Sequence, residues 1–207
     1  MTRNRLLICV LCVLVLTLAG VMTWSGKMFD IGEKEPTVHI DRYDRVLDEY
    51  VSLNSYTALG RMNTQYPQQT KLLIEDVLSL GNVDDPAVEQ QLRHCYLDSA
   101  MQVVLDEVHR QYGDLSDIEE QFREAFDREM EKNPDFRPPH VYAQISCLNQ
   151  SIVVADTLIG ISLDKYLGAD FPLYAKFFNE EQRARMRREA IVPDAMGTYL
   201  HYLHIRR

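Results

Sequence analysis

The stretch Val141–Gly168 constrains the fold of this chain more than any other part, and it reads VYAQISCLNQSIVVADTLIGISLDKYLG. Its β-branched residues occur in short bursts, which turn residues separate at Asn149-Gln150 and again at Asp156-Thr157. Because β-branched side chains favour an extended backbone, these bursts predict three consecutive strands. The sequence therefore predicts a small β-meander over about residues 141–162.

Alternation along the first predicted strand divides its side chains between two faces. One face carries the apolar residues Val141, Ala143 and Ile145. The other face carries the more polar residues Tyr142, Gln144 and Ser146. Such a pattern predicts a sheet that the preceding helices cover on one side. Segments 152–155 and 158–161 are more uniformly apolar, which is typical of central strands.

Helical periodicity dominates the remainder of the chain beyond residue 40. The first predicted helix has Asp41 as its N-cap and a buried face formed by Tyr43, Val46, Leu47, Tyr50 and Val51. Asp85-Pro86 opens the longest predicted helix, which continues to Gly113, and Ser116–Glu119 forms a capping box for the next helix. Further helices are predicted over residues 70–80 and about 179–189, and Ile191–Asp194 leads into a last helix. The fold class is therefore α+β, a mostly helical domain with a small meander.

The N-terminal segment is predicted to meet a membrane. Leu6–Trp24 contains no charged residue, and about 20 apolar residues are needed to cross the hydrocarbon core. Arg3 and Arg5 precede the run, so the positive-inside rule places the N-terminus in the cytoplasm and the body across the membrane. We expect residues 1–27 to be an anchor or signal segment, residues 28–35 a linker, and residues 36–207 a single domain.

Two fates of this segment remain open in the sequence. The residues Thr17-Leu18-Ala19 form a weak cleavage site, which would release the body as a secreted protein. However, Val21, Met22 and Trp24 extend the apolar run beyond that site, and this favours an uncleaved inner-membrane anchor with the body in the periplasm. Val21 also occupies the position where a lipoprotein signal would require cysteine.

Charge excludes two classes of partner. The net charge is −9, and residues 1–27 contain three basic and no acidic side chains, so the rest of the chain carries −12. A body this acidic repels the phosphates of nucleic acids and anionic lipid surfaces, so neither is expected to bind it. One basic cluster is predicted to be a solvated helix face with local acid–base pairs, and it consists of Arg183, Arg185, Arg187 and Arg188.

Cys95 and Cys147 allow two interpretations. They could form one disulfide in an oxidising compartment, or both could be buried thiols. Their distance in the sequence does not decide between these alternatives, and we favour two buried thiols.

The last predicted helix carries two histidines that suggest a zinc site. Zinc metallopeptidases place two histidines four residues apart on one helix, next to a glutamate that activates water. Here His201 and His204 are three apart, and Tyr202 occupies the place of the general base. We therefore expect boundary or surface histidines, and the alternative is a divergent zinc-dependent hydrolase that uses His201 and His204 with another ligand.

Three polar residues of the predicted meander, Asp156, Ser162 and Asp164, have two interpretations. They could form a recognition edge near the strand ends, or they could serve as turn and capping residues, which we favour. Ser162 has no nucleophile elbow around it. The sequence thus predicts no catalytic residue, no cofactor, no metal site and no small-molecule substrate.

Several short motifs together resemble the GldB family of gliding-motility lipoproteins from the Bacteroidetes. They are His39–Asp44, Tyr112–Leu115, Ile118-Glu119, Ile145-Ser146, Asp156, Gly160–Asp164, Tyr166–Gly168 and Ile191–Asp194. The resemblance covers nearly all of the exported part. It implies a non-enzymatic protein of the cell envelope that faces the periplasm and assists gliding, secretion or envelope assembly. Its implied partners are other envelope proteins, with the membrane contacted through residues 6–24.

Overall fold

A computed structural model of the chain describes residues 38–206, which lie in the unit that begins at Val38. The predictions for the membrane segment 1–27 and the linker 28–35 concern residues outside this range. Among the helices of residues 38–206, none has the length and apolar character needed to cross a bilayer.

Helices make up most of the described part. The α-helices are α1 (Tyr43–Leu53), α2 (Tyr56–Thr64), α3 (Pro67–Lys71), α4 (Pro86–Leu97), α5 (Ser99–Gln111), α6 (Ser116–Lys132), α7 (Tyr174–Phe177), α8 (Glu180–Arg185) and α9 (Ile191–Ile205). A π-helical turn, Leu72–Val77, extends α3, and 3-10 turns cover Leu163–Lys165 and Arg188–Ala190. The strands are β1 (Ile40–Asp41), β2 (His140–Gln144), β3 (Ile152–Ala155) and β4 (Leu158–Ser162). This composition confirms the α+β class.

The predicted long helix between Pro86 and Gly113 is two helices. The chain breaks at Asp98, whose backbone is extended (φ −60°, ψ 139°) and whose carboxylate accepts a hydrogen bond from the Ala100 amide at 2.9 Å. Aspartate is a strong N-cap because it satisfies an amide that has no partner within the helix. The longest α-helix among residues 38–206 is instead α6, with 17 residues.

Two predicted caps are wrong. At α6 the Asp114 carboxylate, not the predicted capping box, accepts hydrogen bonds from the Ser116 amide (2.9 Å) and hydroxyl (3.0 Å). At α1 the N-cap position is Arg42, whose side chain makes no capping hydrogen bond, and Asp41 lies in β1.

The sheet is not a meander. Its strand order is β1-β2-β4-β3, and β2 pairs in parallel with both β1 and β4. Strands β3 and β4 form an antiparallel hairpin through the predicted turn, where Asp156 has a φ of +45°. The segment 145–151 therefore crosses the end of β4 to reach β3, so β4 is central and β3 is an edge strand.

The sheet is also buried more completely than predicted. Residues 141–146 are all buried, including the set that was expected to face solvent, and β4 is buried throughout. Tyr142 packs edge-on against Tyr43 of α1, with ring centroids 6.2 Å apart, while α9 packs against β3 and β4. Burial of both alternating sets of β2 shows that the sheet is covered on both faces.

Gly160 of β4 lies directly beside Tyr142 of β2, which leaves no room for a side chain at residue 160. A Cβ atom at residue 160 would be 2.5 Å from the Tyr142 hydroxyl and 2.6 Å from its Cζ atom. We expect Gly160→Ala to lower the free energy of unfolding by about 2 kcal/mol, because Tyr142 is fully buried and overpacked cores relax poorly. Chemical denaturation measures this change.

A second substitution tests the stated cause. Combining Gly160→Ala with Tyr142→Val should recover part of the loss, since the smaller side chain removes both close contacts. If the two changes are simply additive, the contact with Tyr142 is not the reason for the loss.

Candidate functional site

The residues immediately after β4 form a densely hydrogen-bonded site. Asp164 is completely buried, and its Oδ1 accepts a hydrogen bond from the Ser146 amide at 2.9 Å. Its Oδ2 accepts from the Leu148 amide at 2.6 Å and from the Ser146 hydroxyl at 3.1 Å. Burial raises the pKa of Asp164, and these donors offset part of the rise. The carboxylate thus fixes the loop that crosses from β2 to β3.

This role differs from the predicted one. We expected Asp164 to cap the following helical turn, but it lies within that turn, and its side chain binds the loop 145–151. Ser162 accepts a hydrogen bond from the Gln144 amide nitrogen at 3.2 Å, and both side chains are buried. Asp164 and Ser162 therefore both form hydrogen bonds that stabilise this end of the sheet.

Buried tyrosines surround this site and bind backbone carbonyls. The Tyr96 hydroxyl donates to Ile145 O (2.5 Å), that of Tyr112 to Tyr166 O (2.5 Å), and that of Tyr174 to Asp164 O (2.6 Å). Burial raises the pKa of each of these three tyrosines. They are consequently neutral donors near pH 7, and they hold the chain on both sides of Asp164.

Lys165 is an unusual neighbour of Asp164 because only 7 % of it is exposed. Its ammonium donates a hydrogen bond to Leu148 O at 3.0 Å and lies 3.9 Å from the centroid of the Phe178 ring. Burial lowers the pKa of Lys165, and the negative charge of Asp164 opposes this change. Asp164 thus binds the amide of Leu148, and Lys165 binds its carbonyl.

Cys95 and Cys147 are joined by a disulfide, so the interpretation as two thiols is wrong. The bond connects the C-terminal part of α4 to the crossing loop, with Cα atoms 6.7 Å apart. Both Cys147 and Leu148 have a positive φ (50° and 63°), which residues other than glycine rarely adopt. The disulfide and Asp164 therefore fix this loop from two different elements.

The disulfide lies at the side of a groove of about 1,090 Å³. Apolar residues dominate this disulfide groove, and they include Leu97, Met101, Leu148, Leu173 and Phe177. Leu97 and Phe177 are 48 % and 57 % exposed. The groove therefore offers a substantial apolar surface to solvent.

The hairpin turn at Asp156 contacts the end of α9. The Asp156 amide donates to the Tyr202 hydroxyl at 2.9 Å, and the Asp156 carboxylate forms an ion pair with Arg206. Arg206 lowers the pKa of this carboxyl group. The predicted turn role of Asp156 agrees with this geometry, and the residue is 46 positions from its tyrosine partner.

The two histidines of α9 are both exposed. His201 lies at a cavity described below, whereas His204 does not line it. Within residues 38–206, no three side chains of His, Cys, Asp or Glu come together in a way that could hold a metal ion. Tyr202, at the place of the general base in zinc peptidases, donates to and accepts from Asp156.

Sequence reasoning missed the role of Arg188, which was expected to form local pairs. Its guanidinium lies 4.8 Å from the centroid of the Tyr112 ring, and its Nε donates to Asp117 at 2.9 Å. It also donates to the carbonyls of Gln111 and Asp114. Arg185 also pairs outside its own helix, with Asp194 of α9 at 2.7 Å. Only the bidentate character of arginine hinted at these contacts.

Taken together, these features define an α+β domain whose buried polar groups hold an internal loop and whose cysteines are oxidised. The family model described as "Gliding motility protein GldB" matches residues 27–206. Because this match covers most of the chain, the protein belongs to the GldB family. Comparisons with curated proteins and with solved structures gave no match.

Proposed function

We propose that this GldB-family protein is an inner-membrane-anchored, periplasm-facing accessory of gliding, secretion or envelope assembly, and that it acts through protein contacts without catalysis. The observation that carries the proposal is the Cys95–Cys147 disulfide in the body of a chain that begins with an apolar run. Disulfides persist in oxidising compartments such as the periplasm and are rare in the cytosol. The disulfide and the N-terminal apolar run therefore both favour a body that lies in the periplasm.

Action through contacts has its own support. The polar groups around Asp164 form hydrogen bonds with backbone groups of the same chain, so they stabilise the fold. The exposed apolar side chains of the disulfide groove favour association with other envelope proteins, because extended apolar patches commonly mark interaction sites.

Cell fractionation tests the anchoring and the orientation. We expect the full chain, carrying a C-terminal tag, to occur in the membrane fraction with an intact N-terminus by mass spectrometry. Protease added to spheroplasts should digest the tag, because the body faces the periplasm. Leu14→Arg should abolish membrane recovery, since it places a charge in the centre of the apolar run, whereas Leu14→Ile should preserve it.

Different outcomes would contradict different parts of the proposal. A soluble product that starts near Gly20 would exclude the anchor, and a tag protected in spheroplasts would exclude the orientation. Stoichiometric zinc in the purified full chain, lost in both His201→Ala and His204→Ala, would instead favour the hydrolase alternative.

A further inference from the structure

A cavity of about 740 Å³ lies beside the Asp164 site, and its walls come from separate parts of the chain. The cavity is lined by residues 150–151 of the crossing loop, Ile152 of β3, residues 165–166 after β4, helix α8 and helix α9. Its volume falls within the range of small-molecule and short-peptide sites. The cavity is therefore large enough for one or two amino-acid residues.

The cavity contains positive charge in a protein that is strongly acidic. Its charged lining residues are Lys165, Arg185 and Asp194, which sum to +1. Asp194 already accepts hydrogen bonds from Arg185 (2.7 Å) and from the Tyr166 hydroxyl (3.2 Å). Lys165, in contrast, has no carboxylate within ion-pair distance among residues 38–206. The negative charge of Asp164 acts on this ammonium from nearby but forms no direct ion pair with it. A buried ammonium without a direct ion pair favours the binding of an anion.

Two glutamines add groups that complement an amide. Gln150 donates through Nε2 to Ile152 O at 3.1 Å, which leaves its carbonyl oxygen as an acceptor. Gln182 accepts through Oε1 from the Asn179 amide at 3.0 Å, which leaves its nitrogen as a donor. One free acceptor and one free donor match the N–H and C=O groups of a peptide bond.

The cavity also has an apolar wall. Phe178 and Met186 line it together with Pro193, and Met186 is buried. An apolar side chain placed against these residues would leave water, which is the main favourable contribution to binding. The lining thus offers a cation, an amide partner and an apolar surface within one cavity.

We propose that this cavity binds the C-terminal residue of a peptide. The carboxylate pairs with Lys165, with Arg185 as a second cation at the rim. The last peptide bond pairs with Gln150 and Gln182, and an apolar C-terminal side chain packs on Phe178 and Met186. This binding activity goes beyond the proposed accessory role and depends on neither the anchor nor the compartment.

Titration calorimetry with the full chain in detergent tests the proposal, with N-acetyl-Ala-Leu as the probe and its C-terminal amide as the matched control. We expect the free acid to bind at least tenfold more tightly than the amide, because a charge-assisted hydrogen bond to the ammonium is lost. Inorganic phosphate at the same concentration should not displace the peptide.

Three variants locate the binding site. Gly197 of α9 lines the cavity and has open space at its Cβ position, so Gly197→Leu should block binding without disturbing the fold. Gly60→Leu is the matched control, since Gly60 is also an exposed helical glycine with open space but lies outside this cavity. Lys165→Met should weaken binding of the acid about tenfold and leave the amide unchanged.

Four results would overturn the proposal. These are no measurable binding of the acid, equal affinity of acid and amide, unchanged binding in Gly197→Leu, and displacement by phosphate. The last of them would define a general anion site instead. None of these results bears on whether the chain is anchored in the membrane, so the two proposals fail separately.

Discussion

Replacing both Cys95 and Cys147 by alanine is expected to lower the free energy of unfolding by about 4 kcal/mol, the largest effect of the substitutions considered. The two cysteines are 52 residues apart, so the bond closes a long loop in the unfolded chain. The loss of that constraint raises the entropy of the unfolded state, and the cost of a broken bond grows with loop length. Equilibrium denaturation of the oxidised protein and the double variant measures the difference.

Internal controls are available for this measurement. Each single variant, Cys95→Ala or Cys147→Ala, should lose nearly as much stability as the double variant, because either substitution breaks the same bond. Treatment of the wild-type protein with dithiothreitol should reproduce the loss. A double variant within about 1 kcal/mol of the wild type would show that the bond constrains the unfolded chain too little to stabilise the fold.

Asp164→Asn is expected to lower the free energy of unfolding by about 3 kcal/mol. Asparagine is nearly the same size as aspartate, but one of its two terminal groups is a donor. In the native structure the Ser146 amide faces Oδ1 and the Leu148 amide faces Oδ2. In either orientation, the NH2 group of the asparagine faces one of these two buried amide N–H groups. Two donors then face each other, and one hydrogen bond is lost. Denaturation midpoints and slopes for the two proteins provide the test.

The same substitution at Asp156 is the matched control for Asp164→Asn. Asp156 is an exposed aspartate with an exposed arginine partner, and such pairs contribute little to stability. Asp156→Asn should leave the denaturation curve nearly unchanged. Equal losses in the two variants would mean that the buried hydrogen bonds of Asp164 have no special effect.

Local signals in the sequence predicted several elements correctly. Asp85-Pro86 starts a helix as expected, with the Asp85 carboxylate 2.9 Å from the Ala87 amide. The last helix is also present, but it begins at Ile191 and so includes the segment that was expected to precede it. The buried face predicted for the first helix is confirmed, because all five of its residues are buried in α1. Each of these signals acts within about one helical turn, so the sequence contains the whole interaction.

Pairing between distant strands was not predicted correctly, and the reason is physical. Alternation and turn residues locate β2, β3 and β4, but a meander and the observed order satisfy the same alternation. In the observed order Asp164 binds the crossing loop at Ser146 and Leu148, at separations of 18 and 16 residues. Nothing in the local pattern around Asp164 indicates these partners.

The candidate site was predicted in part. Asp164 was identified as an interesting polar residue, but Lys165 was not, since its burial depends on Phe178 in a different segment. The cavity requires the crossing loop and α9 to come together, and no sequence motif specifies that contact. A lysine directly after an aspartate at the end of an apolar strand was the only available signal.

The strand order has a consequence for the synthesis of this protein. Strand β4 is the last of the four described strands to be made, yet it occupies an interior position between β2 and β3. A nascent chain that has not reached Leu158 therefore presents two incomplete strand edges, which are surfaces prone to aggregation. Until translation passes that residue, chaperones are the expected protection for the unfinished polypeptide.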